Sequence, residues 1–68
     1  MYNAKTLIEY ENKLVVLQTT DETEIIGKVI LVTFADDTDD GIENIDIETD
    51  TGDIVCVETG DIKNIQIA

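Results

Sequence analysis

The stretch Glu24-Ile25-Ile26-Gly27-Lys28-Val29-Ile30-Leu31-Val32-Thr33-Phe34 decides the fold. It is rich in β-branched residues, and Val29 to Val32 place apolar side chains on both faces of an extended segment. At eleven residues it is about twice the usual strand length. A strand so long in a small protein has to bend, and Gly27 stands where a strong bend needs a missing side chain. Long, bent and apolar on both sides describes a strand of a small barrel.

On its N-terminal side, Leu14-Val15-Val16-Leu17-Gln18-Thr19 reads as a first strand and Asp21-Glu22-Thr23 as a tight turn, which makes a hairpin. A short helix is expected before it, from Ala4 to Glu11. Asn3 or Thr6 can cap its free amides, Glu9 follows Thr6 at the capping-box spacing, and Asn12 suits a left-handed exit. Ala4, Leu7 and Ile8, with Tyr10 beside them, form a narrow apolar stripe that has to dock on the rest.

On its C-terminal side, Asp36-Asp37-Thr38-Asp39-Asp40-Gly41 reads as an acidic loop. Alternation then returns, with Ile45 and Ile47 on one face and Asn44, Asp46 and Glu48 on the other. Asp50-Thr51-Gly52-Asp53 is a tight turn whose glycine takes a positive φ. Ile54-Val55-Cys56-Val57 is a fourth strand, Thr59-Gly60-Asp61 a short connector, and Ile62, Ile65 and Ile67 mark a fifth strand with Asn64 and Gln66 on its other face. The expectation is one mainly β domain over residues 1–68, with a helical cap at 1–12 and a five-stranded, strongly bent SH3-like small barrel at 13–68.

The order of elements and several residues together resemble the Sm-like (Lsm) family over essentially the whole chain. Gly27 matches the bend glycine, Phe34 with Asp36 resembles the aromatic and Asp that follow it, and Asn44-Ile45-Asp46-Ile47 resembles the end of the first Sm motif. Thr59-Gly60-Asp61-Ile62-Lys63-Asn64-Ile65 is similar to the Arg-Gly-(Asp/Asn) turn and closing strand of the second. Thr59 takes the arginine's place, the turn is about one residue short, and the acidic loop is longer than the family's. The resemblance implies a homo-oligomeric ring in which strand 53–58 of one copy pairs with strand 62–67 of the next, and a pore lined by Asn44, Thr59 and Gly60 with Lys63 close by. Independently, a fifth strand with no proline and a single lysine is poorly defended as a free edge, and head-to-tail pairing that closes gives a cyclic oligomer.

Composition narrows the function. Sixteen acidic residues face four lysines for a formal net charge of −12, and the chain has no Arg, His, Ser or Pro. It lacks the usual parts for acid–base, nucleophilic and oxyanion chemistry, and its field repels phosphate. An enzyme is not expected. Cys56, between Val55 and Val57 with no His to deprotonate it, reads as a small buried hydrophobe. Asp46 and Glu48 share a wet strand face and read as solubilising charge.

No metal or cofactor is expected either. Asp36, Thr38, Asp40 and Gly41 imitate the first, third, fifth and sixth positions of a calcium loop, but Ile47 stands where the bidentate Glu belongs. The loop therefore reads as solvated acid. No stretch of about 18 apolar residues and no basic-then-apolar leader is present, so the expectation is a soluble, cytoplasmic protein without membrane contact.

Nucleic-acid affinity ordinarily rests on something like 6 to 10 phosphate contacts, which four scattered lysines cannot supply. RNA binding is expected to be weak or absent, and no DNA binding is expected. The leading expectation is an acidic, ring-forming scaffold or regulator whose loop residues Asp36, Asp37, Asp39 and Asp40 engage a basic protein. The alternative is a ring whose pore holds short single-stranded RNA through Asn44, Thr59, Gly60 and Lys63.

Overall fold

The long strand runs for ten residues and ends at Thr33, and the computed structural model, which describes residues 2–68, shows how that length is accommodated. Strands β1 (Leu14–Thr19), β2 (Glu24–Thr33), β3 (Asn44–Glu48), β4 (Ile54–Glu58) and β5 (Ile62–Ile67) form one antiparallel sheet in the order β4-β3-β2-β1-β5. β2 pairs with β1 along its first half and with β3 along its second, so it belongs to two differently tilted halves. The ladder slips between Val29 and Leu31, where Ile30 is the extra residue of a bulge. Gly27 permits the crossing of the halves: a Cβ there would run into the Glu48 carbonyl oxygen and lie 2.7 Å from Ile47 Cγ2.

The curl brings the inward residues of all five strands onto one core. Val15, Leu17, Val29, Val32, Ile45, Ile47, Val57, Ile62 and Ile65 are buried there, together with Ala4 and Leu7. In β5 the buried residues are three apart because the β1–β5 register shifts at Gln18/Thr19, which restores Ile62 and Ile65 to the same face. Ile67 lies opposite Val15 on that face too, yet it is 55% exposed at the sheet margin. The core face of β5 therefore runs out into solvent.

The expected barrel does not close. β4 and β5 occupy opposite margins of the sheet and do not pair, although the three-residue 3₁₀ connector Thr59–Asp61 joins them. The connector is stitched at both ends, Thr59 N–H to the Glu43 carbonyl (3.0 Å) and Thr20 N–H to the Asp61 carbonyl (2.9 Å). It thus spans the gap between the two halves of the sheet without a ladder beneath it.

Helix α1 (Ala4–Leu7) is shorter than its sequence suggests and continues as a 3₁₀ turn, Ile8–Tyr10. Its reciprocal cap joins Asn3 and Thr6, so Thr6 completes a box with Asn3 instead of opening one with Glu9. The buried stripe is Ala4 and Leu7 with Tyr10 half-buried beside them, while Ile8 faces outward. Asn12 takes the left-handed exit (φ 67°), and its N–H reaches the Val29 carbonyl at 2.7 Å. No helix among the described residues is long and apolar enough to cross a membrane.

Candidate functional site

A sheet with two open margins offers main-chain donors and acceptors that have no strand partner. The β4 margin is the more developed of the two. Between β4 and the β1–β2 turn lies a cleft of about 520 Å³. Its floor is Ile25, Val55 and Val57, all inward-facing residues of the half-open barrel, and its rim carries Asp21, Glu58 and Asp61. The cleft is the space that barrel closure would have filled.

The turn on its far side is rigidly built. The Thr19 hydroxyl donates to the Asp21 carboxylate and accepts from the Thr23 N–H (3.1 Å), while Thr19 N–H bonds the Thr23 carbonyl (2.9 Å). Hydrogen bonds from Thr19 and then Thr23 hold the Asp21 carboxyl below its ordinary pKa. Glu22 tolerates a positive φ of 72° at the tip and forms an ion pair with Lys63 at 2.9 Å, both side chains being more than half exposed. No sequence signal marked Glu22 for that conformation.

Cys56 is exposed on β4, not buried, which corrects the sequence expectation. Strand parity gives the reason: Ile45 and Ile47 pair with Val57 and Val55, so Cys56 shares the outer face with its partner Asp46. Partial desolvation, followed by the hydrogen bond and charge of Asp46 and the charge of Glu58, pushes its thiol above the usual value. The thiol stays protonated at neutral pH and is a poor nucleophile.

Asn44, Thr59 and Gly60 come together at one corner, where Asn44 pairs with Glu58 and the Thr59 N–H holds the Glu43 carbonyl. Lys63 points away from them to Glu22. Asp36 and Asp37 lie in a 3₁₀ turn (Ala35–Asp37), and the Asp40 carboxylate caps the Ile42 N–H at 3.0 Å. Among the described residues, no three acidic or cysteine side chains gather closely enough to hold a metal ion.

Glu43 is the functional-looking residue that sequence reading passed over. Its carboxylate accepts from Ala4 N–H (2.9 Å) and Ala35 N–H (3.4 Å), so one side chain ties the start of α1 to the 3₁₀ turn that follows β2. Nothing in the local spacing announces this contact, which spans 39 residues. Comparison with protein-family models, curated proteins and solved structures finds no match.

Proposed function

We propose that this chain is a non-enzymatic, Sm-like interaction protein that closes into a ring and presents an acidic surface to a basic partner protein. The observation that carries the ring is the pair of unpaired margins, β4 and β5, joined by a connector of only three residues. Each copy thus has one free edge of each kind, pointing in different directions, and pairing β4 with a neighbour's β5 is head-to-tail. Such pairing would also cover Ile67. The thiol raised by partial desolvation and then by Asp46 and Glu58, together with the absence of His, Ser and Arg, supports a binding role over catalysis.

Sedimentation equilibrium at micromolar protein is the direct test. A closed oligomer is expected, and Ile67→Pro, at an exposed residue of the β5 margin, should reduce it to smaller species. A monomer throughout the concentration range removes the ring.

The gathering of Asn44, Thr59 and Gly60 at one corner favours a second reading, in which the ring's pore holds short single-stranded RNA. Glu43 and Glu58 flank that corner and oppose phosphate. Binding of a uridine-rich oligomer at about 20 mM salt, lost on Asn44→Ala, would favour the pore; no binding there excludes it.

A further inference from the structure

The β4 margin has the features of a seat for an added strand, and its chemistry selects one kind of occupant. The backbone of Ile54–Glu58 is unpaired along its outer side, the cleft beside it has an apolar floor, and three carboxylates stand on the rim. No cation answers those carboxylates: the one ion pair among the described residues is Lys63–Glu22, outside the cleft. A lysine or arginine stem laid over Ile25, Val55 and Val57 would bury its methylenes and keep its charged head at Asp21 and Asp61. A second copy of the chain competes for this edge through its β5, but it brings its own net charge of −12 and a single lysine there that is already paired.

We infer that the β4 edge takes an extended, lysine- or arginine-bearing strand from a basic partner protein, which adds to the sheet by main-chain pairing. The inference rests on the interaction-protein reading and names the partner's chemistry. A chain whose β4 is capped in this way has no β4 to offer a neighbour, so partner binding and ring closure exclude each other at that edge.

The probe is a blocked peptide alternating lysine and valine, titrated into the full chain by calorimetry at low salt. A charge-matched peptide with a central proline cannot pair and is the control. The alternating peptide should bind at least about tenfold more tightly than the proline peptide, and the E58Q/D61N chain, which leaves the Thr19–Asp21–Thr23 turn intact, should lose about tenfold. Neutralising Asp36, Asp37, Asp39 and Asp40 to Asn should change affinity by less than about threefold.

Equal binding of the two peptides, or indifference to E58Q/D61N, would show general attraction to an acidic protein and overturn the inference. A chain that sediments as an oligomer and neither binds the peptide nor loses mass on its addition overturns it while supporting the ring. A monomer that binds the peptide in the expected way supports it and removes the ring.

Discussion

Gly27 is the residue on which the bend turns. Its φ is unexceptional, so the requirement is space, and alanine would force its Cβ into the Glu48 main chain and Ile47. Backbone on the facing strand cannot swing aside as a flexible side chain would, and overpacking of this kind costs about 1–3 kcal/mol. Gly27→Ala is expected to lower the unfolding free energy measured in urea by an amount near the top of that range; an unchanged free energy would mean the two halves of the sheet can separate freely at this crossing. Asp21 makes the opposite kind of contribution, through charge. Its folded pKa lies below the ordinary 3.8, so its stabilisation is complete above that value and is lost as pH falls through the lower, folded one. Asp21→Asn should therefore flatten the acid limb of a stability–pH curve below pH 3.8 and leave its neutral part nearly parallel to the parent's. Acid limbs of equal slope would show that Thr19 and Thr23 do not favour the ionised form.

At the scale of elements, the helix is held by contacts that sequence cannot display. Four residues of α-helix are far too few to persist unaided; α1 persists because Leu7 and Ala4 are buried and because Glu43 receives its first free amide. Hydrogen bonds to charged groups contribute about 1.5–3 kcal/mol when partly buried, so Glu43→Ala should cost about 1–2 kcal/mol in urea unfolding, and Glu43→Gln, which keeps an acceptor, distinctly less. Equal losses would assign the effect to the carboxylate's charge, because Gln keeps both the size and an acceptor. What was legible shares a cause. β1, the alternation of Ile45 and Ile47, the turn at Gly52 and the connector Thr59–Asp61 are fixed by local periodicity and turn chemistry. What was illegible is long-range. Cys56 sits among valines in sequence, but one residue of strand parity turns it outward. The bulge at Ile30, the slip at Gln18/Thr19 and the open seam depend on how far a bent sheet wraps, which no window of sequence states. The candidate cleft follows from that seam, so it too was invisible until the strands were placed.

For the whole molecule, the radius of gyration of 10.9 Å is what about 68 residues give when packed as an independent domain. Association would therefore join finished units at their margins, and charge decides under what conditions. The molecule measures 30 × 22 × 20 Å and carries a formal net charge of −12. At about 0.01 M salt the screening length of about 30 Å matches that size, so nearly every charge repels every other, within one copy and between copies; at about 1 M it shrinks to about 3 Å and only neighbours interact. Added salt should thus raise the thermal midpoint of a single copy, and it should also promote pairing of β4 with a neighbour's β5. A basic strand seated on β4 responds in the reverse sense, because screening weakens attraction between opposite charges. Sedimentation equilibrium across this salt range, with and without the lysine–valine peptide, separates the two: mass should rise with salt in the chain alone, and peptide occupancy should fall. If the chain alone dissociates as salt is added, its copies are held by opposite charges in contact, and edge pairing against net repulsion is not what assembles it.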